Sequence, residues 1–221
     1  MGYYDLASDA RTEFVKTKDK AEKDTWNIRL VDLGIRVANA LVEMGDLDGA
    51  GRHLESLRIG QVGKEQDQLL RARLVLLYLR IGNLTAARAY MGNREDEDDP
   101  SNPYISPLVP LLSMAEGNYP GAISQISTLE KENPSGALQP MFIQNLAVCL
   151  LYSGEITKAR SLLESLISSG QSFPTLIFNL STIFELCTDR SRSLKLVLAE
   201  KIARKDEEGT GWERGNADFK L

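Results

Sequence analysis

One six-residue pattern recurs four times along the chain: a glycine, a polar residue, an aliphatic residue or tyrosine, two variable positions, then alanine. It reads Gly45-Asp46-Leu47-Asp48-Gly49-Ala50, Gly82-Asn83-Leu84-Thr85-Ala86-Ala87, Gly117-Asn118-Tyr119-Pro120-Gly121-Ala122 and Gly154-Glu155-Ile156-Thr157-Lys158-Ala159. The glycines stand 37 (82−45), 35 (117−82) and 37 (154−117) residues apart. A period of that size marks a stacked array, in which one supersecondary unit cannot bury its apolar face alone and must lean on the next.

Each part of the pattern has a physical purpose. Glycine closes a helix by taking the left-handed backbone without a Cβ clash. The Asp or Asn after it bonds nearby backbone and favours the turn. The alanine lets a second helix come close to the first. Helical apolar spacing precedes the glycines at Val37, Ala38 and Leu41, at Leu74, Val75 and Tyr78, and at Leu146, Ala147 and Leu150. It continues after the alanines at Leu54 and Leu57, Ile126 and Leu129, and Leu163 and Leu166. Spacings of three and four put these residues on one helix face. Tetratricopeptide repeats, with a period of about 34, carry this turn between their two helices. The fold class is therefore an all-α, right-handed tetratricopeptide solenoid of ten to eleven helices with no sheet.

The organisation follows from where the pattern breaks. Residues 1–24 read as an N-terminal helix or cap, with Leu6, Ala10, Phe14 and Val15 as its stripe. Repeat units one and two fill 25–92, with Gly34 in place of an opening aromatic and the second unit's second helix ending early at Gly92. An acidic, proline-rich loop at 93–104 follows, with a helix starting at Ser106-Pro107, and splits the array into halves. Units three and four and a degenerate fifth, capping unit occupy 105–205. In that stretch Pro134 ends a second helix, and Ser172-Phe173-Pro174 starts a helix with Ile177, Leu180 and Phe184 on one face. A turn at Thr188-Asp189 leads to a last helix opened by Leu194, Val197 and Leu198, and 206–221 is a polar tail.

Chemistry-bearing residues are sparse. A single histidine and two cysteines leave no His-rich metal site and no disulfide framework, and suit a reducing compartment. His53 has no nucleophile near it in sequence and reads as a surface or interface histidine; Cys149 reads as a small buried hydrophobe and Cys187 as a more exposed thiol at a helix end. Gly60-Gln61-Val62-Gly63-Lys64 lacks the spacing of a phosphate loop. The acidic run Glu95 to Asp99 lacks the alternating Asp spacing and fixed glycine of a calcium loop, and reads as solvated. No catalytic, cofactor-binding or metal-binding residue is assigned. With 26 basic residues scattered among 31 acidic ones and a net charge of −5, duplex nucleic acid and anionic lipid are poor partners. The longest apolar runs, Leu74 to Leu79 and Leu146 to Tyr152, fall far short of the ~20 residues that cross a bilayer. The chain reads as intracellular.

The informative surface is the inner face of the first helices, which lines the concave side of such an array. There unit one offers Arg36 and Asn39, beside Ile35 and Val42. Unit two offers Arg73, Leu76, Leu79 and Arg80. Unit three offers Leu108, Leu111 and Met114, and unit four Asn145, Val148, Leu151 and Tyr152. A groove this aliphatic lacks the Lys and Asn of a carboxylate clamp and suits a helix or extended segment. Its cover is a partner, the chain's own N-terminal helix or the close packing of a tight superhelix.

The segment Thr175-Leu176-Ile177-Phe178-Asn179-Leu180-Ser181-Thr182-Ile183-Phe184-Glu185-Leu186-Cys187-Thr188-Asp189-Arg190-Ser191 resembles the closing part of the tetratricopeptide subunit of the TRAPP (trafficking protein particle) tethering complex, subunit twelve. Leu41 to Leu47 and the closing Phe219-Lys220-Leu221 fit the same family, and the resemblance runs from about Trp26 to Leu221. The family's members carry a longer N-terminal region, so the resemblance is to their C-terminal half. It implies a non-catalytic scaffold in a complex that activates a Rab GTPase in ER-to-Golgi transport and autophagy. The partners would be other TRAPP subunits, with membrane contact only through the complex. The place implied is the cytoplasm, peripheral to early secretory membranes. A free-standing adaptor that captures a short peptide or helix in its groove is the alternative function class.

Overall fold

The computed structural model describes residues 2–59, 63–92, 103–132, 136 and 138–206. Among these there are eleven α-helices, one 3₁₀ turn and no strand. The helices are α1 (Tyr3–Lys16), α2 (Lys20–Glu43), α3 (Leu47–Ile59), α4 (Lys64–Ile81), α5 (Leu84–Met91), α6 (Val109–Ala115), α7 (Tyr119–Glu132), α8 (Gln139–Tyr152), α9 (Ile156–Ser168), α10 (Pro174–Cys187) and α11 (Ser191–Asp206). They fall into two compact units, 1–116 and 117–221.

The recurrent pattern folds as the spacing predicts. Gly45, Gly82, Gly117 and Gly154 all take positive φ, between 76° and 83°. At three of them the helix ends with the same pair of backbone bonds. Gly45 N–H donates to Val42 O and Asp46 N–H to Leu41 O; Gly82 and Asn83 repeat this on Leu79 and Tyr78, and Gly154 and Glu155 on Leu151 and Leu150. Those bonds satisfy carbonyls that a helix C-terminus would otherwise leave without donors. The polar residue then opens the next helix: Asp46, Asn83 and Asn118 accept from the N–H three residues on, at 2.8, 3.0 and 3.1 Å. Each alanine closes the first intrahelical bond and is 0% exposed. Gly170, with φ 98°, ends α9 by the same bonds on Ile167 and Leu166, a fifth instance that the motif search lacks because no alanine follows.

Unit 1 contains two apolar cores. Val31, Ile35, Ala38, Ala50, Leu54, Leu70, Leu74 and Leu77 join α2, α3 and α4. Ala72 and Val75 of α4 meet Ile105 and Leu108 in the second. That second core moves the division of the chain. The sequence places the split at 93–104, but the segment after the loop packs back onto α4 and the boundary falls between Glu116 and Gly117. Arg88 of α5 adds an ion pair to Glu116 at 2.7 Å. Ser106 is no helix cap; it begins the 3₁₀ turn, and the buried Pro110 lies in the first turn of α6, where a missing N–H costs nothing.

The N-terminal segment also differs from expectation. It is not one helix over 1–24: α1 stops at Lys16, and Asp19 caps α2 from Lys20. The two helices pack against each other. Ala10 is buried, but Leu6 and Val15 of the expected stripe are exposed.

Unit 2 buries Ala147, Leu150, Ala159, Leu163, Leu166, Leu176, Ile177, Leu180 and Phe184 with Leu198 and Ile202 in one core. Phe173, not Ser172, takes the cap position of α10, with an extended backbone and no side-chain bond. At the far end, Thr188 Oγ1 accepts from Arg190 N–H at 3.2 Å and holds the turn. Val197 of α11 is exposed where the sequence reading buries it, while Lys195, 5% exposed, lies inward and pairs with Glu185 of α10. The run Glu95 to Asp99, Pro134 and positions 207–221 of the expected tail lie outside the described residues.

Candidate protein-interaction site

Glycine and small residues set how closely the helices of a unit approach, and so which faces are left for a partner. In α2, a Cβ on Gly34 would stand 2.5 Å from Leu57 Cδ1, so the missing side chain lets α3 lie against α2. His53 is fixed in that contact, its Nε2 donating to Gly34 O at 3.1 Å. It is an interface histidine. Further along, α2 touches α4 and α4 touches α6. The first helices of successive repeats in unit 1 therefore stand side by side, as they do on the inner face of a tetratricopeptide array.

What these helices leave in water is more polar than the sequence reading proposes. Arg36 and Asn39 of α2 are exposed, and Arg36 Nε donates to Asp32 at 2.9 Å. On α4, Arg73, Leu76 and Arg80 are exposed and follow one another at i, i+3 and i+7. Leu79 and Leu111 are half-buried, packed against the core of Ala72, Val75, Ile105 and Leu108. Leu108 is 7% exposed and belongs to that core, so it leaves the groove set: the turn before α6 aims it at α4. Ile35 is buried in the core that joins α2, α3 and α4. Met114 is half-buried.

Unit 2 carries its own share. Asn145, Val148 and Leu151 of α8 are half-buried, and Leu151 packs on the unit's core. Tyr152 is 66% exposed, and its ring stacks on Tyr119 with centroids 4.9 Å apart and planes 6° from parallel. The pair makes an aromatic platform at the Gly117 and Gly154 ends of the helices. Among the described residues α1 packs on α2 and buries Ala10.

A polar cluster in unit 1 escapes sequence reasoning altogether. Tyr78 Oη and Tyr90 Oη both donate to Glu55 Oε1, at 2.8 and 2.7 Å, and the two rings stack 5.5 Å apart. Arg58 lies over the Tyr90 ring and pairs with Asp67 at 2.7 Å. The Tyr90 and Tyr78 hydroxyls, more than the charge of Arg58, hold the Glu55 carboxyl below its ordinary range against the opposing effect of burial. Burial, with the bond to Glu55, pushes Tyr90 up to about 12 and raises Tyr78 as well. The two tyrosines stand 23 and 35 residues from Glu55, beyond any local pattern. The cluster ties α3, α4 and α5 together. It contains no nucleophile aimed at solvent.

Reactive groups remain scattered. Cys149 is buried and its thiol is pushed up by that burial, while Cys187 is exposed. Among the described residues no group of His, Cys, Asp or Glu could hold a metal ion, and no helix is long and apolar enough to cross a membrane.

The comparisons agree with this architecture. No family model matches the chain. Over 210 residues, 91% of its length, the chain is 25% identical to trafficking protein particle complex subunit 12 of Mus musculus. It is 26% identical over 189 residues to the subunit of that name from Homo sapiens. The chain spans about a quarter of the length of these relatives, 26% and 25%. A tetratricopeptide repeat protein of Parabacteroides merdae superposes with a TM-score of 0.62 at 15% identity, covering 96% of this chain and 80% of its own. That likeness shows the fold alone. The helices, the glycine turns and the relatives together make this an all-α tetratricopeptide region similar to that of subunit 12 of the trafficking protein particle complex.

Proposed function

We propose that the chain is a non-catalytic scaffold of a TRAPP-type tethering complex that activates a Rab GTPase, serving ER-to-Golgi transport and autophagy from the cytoplasmic side of early secretory membranes. The similarity to subunit 12 across 91% of the chain carries the reading. It is supported by side chains left exposed on the first helices, Arg36, Asn39, Arg73, Leu76 and Arg80 in unit 1 and Tyr152 in unit 2, where an array of this kind meets partners. The half-buried Leu79, Leu111 and Met114 of unit 1, and separately Asn145, Val148 and Leu151 of unit 2, add apolar and amide surface on the first helices of each unit. A scaffold is also consistent with a histidine held in a helix contact and one cysteine sealed in a core. Contact with membrane would run through other subunits, and exchange chemistry would belong to them.

The test is affinity capture of the chain from cell extract with quantitative mass spectrometry, beside a Leu76→Glu variant. Leu76 is 40% exposed, so the change leaves the core untouched while placing a carboxylate between Arg73 and Arg80. TRAPP subunits retained by the wild-type chain and lost by the variant are expected. A spread of unrelated peptide-bearing proteins without TRAPP subunits would favour a free-standing adaptor and overturn the proposal.

A further inference from the structure

Four arginines in unit 1 already have work within the chain. Arg36 pairs with Asp32, Arg58 with Asp67 and Arg88 with Glu116, and Arg71 Nε donates to Tyr90 O at 3.3 Å. Arg73 and Arg80 have no ion pair among the described residues. Both are exposed on α4, and the exposed Leu76 lies between them on the same face. Seven helical residues at about 1.5 Å each put their Cα atoms ~10 Å apart along the axis. The pattern on this helix is thus cation, aliphatic, cation over two turns. It repeats, with opposite sign, what an amphipathic helix carries when it has acids at i and i+7 and an aliphatic residue midway.

We infer that the inner face of unit 1 receives an acidic amphipathic helix of a partner protein, two carboxylates seven residues apart meeting Arg73 and Arg80 and an aliphatic side chain resting on Leu76. The inference rests on the scaffold reading above and adds the chemistry of the partner. Charge complementarity selects this occupant. A basic or neutral helix would leave both guanidinium groups facing like charge or apolar surface, which disfavours it. Guanidinium presents a planar fork that matches a carboxylate with two parallel bonds, so spacing as well as sign is read. Asn39 on neighbouring α2 adds an exposed amide that can donate to the same segment. A polyanion such as nucleic acid is a poorer match, because a net charge of −5 surrounds two cations rather than a basic stripe.

The experiment uses the purified full chain and a fluorescein-labelled helical peptide of about eighteen residues, with glutamates at i and i+7 and leucine at i+3. Fluorescence anisotropy at low salt should show saturable binding. The Arg73→Glu/Arg80→Glu variant should bind at least about tenfold more weakly with an unchanged melting curve, since both side chains are solvent-exposed. Raising the salt to about 0.5 M should weaken the wild-type complex several-fold. A peptide of identical composition with adjacent glutamates should bind about tenfold more weakly than the spaced one. Absence of binding, equal binding by the double variant, or equal binding of the rearranged peptide would each overturn the inference. So would an oligonucleotide that binds more tightly than the spaced peptide. The capture experiment makes no use of the peptide, so a chain that retains TRAPP subunits but ignores the acidic probe refutes this inference alone.

Discussion

Replacing Ala87 by leucine should destabilise the chain, and the structure says how much. Ala87 is 0% exposed, its N–H bonded to Asn83 O in the first turn of α5. Leucine adds three carbons at a place where α4 and α5 are already in contact. If those carbons found empty space they would stabilise by about 0.8 kcal/mol each, ~2.4 kcal/mol in all. At a position with no exposed surface between two touching helices, the helices are expected to part or side chains to leave their rotamers, and overpacking of this kind costs ~1–3 kcal/mol. Ala159, also 0% exposed at the start of α9, should behave alike. For a chain of this length, ~1 kcal/mol moves the melting midpoint by about 2–4 °C, so a drop of roughly 2–12 °C is expected. Ala89 lies two residues further along α5 and is exposed. Ala89→Leu should change the midpoint by no more than about 1–2 °C, since surface substitutions away from special features fall within ~0.5 kcal/mol. Thermal melts followed by circular dichroism at 222 nm compare the three. Unchanged midpoints in both Ala87→Leu and Ala159→Leu would show that the repeat alanines do not set the helix-pair spacing.

Gly82→Ala and Gly154→Ala should each cost ~1–2 kcal/mol, because a left-handed φ of 83° penalises a Cβ while nothing lies within 4 Å to clash with it. Asparagine at Gly82 should recover part of that loss in the same denaturant titration. Tyr90→Phe should cost ~0.5–1.5 kcal/mol at neutral pH. Tyr90 is raised to about 12 in the folded chain, so its contribution is complete below the ordinary value near 10 and fades as pH rises toward 12. The gap between wild type and Tyr90→Phe should therefore narrow over that alkaline window in urea titrations, and a constant gap would contradict the Glu55 contact. Glu55 is held low, so its contribution is present above the ordinary carboxylate range and is lost as pH falls through its depressed folded value. Glu55→Gln should accordingly flatten the acid limb of stability against pH. One thiol, Cys187, should react with a disulfide reagent within minutes in the native chain, and Cys149 only after denaturation. Two fast thiols would mean that the α8 core is open.

Local geometry was legible in the sequence, and non-local placement was not. The glycine turns, the caps at Asp46, Asn83 and Asn118 and the buried alanines follow from six consecutive residues. Gly170 closes a helix in the same way but lacks the downstream alanine, so a motif search passes over it. Ser172 and Ser106 look like caps by type, yet Phe173, packed on the unit 2 core, takes the cap position of α10 and the buried Ile105 that of the 3₁₀ turn. Burial departs from the local pattern where helix phase depends on a neighbour. Leu108 turns inward because Ala72 and Val75 leave room for it, and Lys195 turns inward because Glu185 meets it. The pairing of Glu55 with Tyr78 and Tyr90 spans two helix turnings and has no local signature.

The most direct test of the scaffold account is reconstitution. Purified chain would be mixed with a TRAPP complex purified without its subunit 12, and the mixture resolved by size-exclusion chromatography with light scattering. The account predicts that the chain elutes with the complex at a fixed stoichiometry, and that Leu76→Glu elutes alone although its melting curve matches wild type. Elution of the wild-type chain at its own mass, with the complex unshifted, would contradict it.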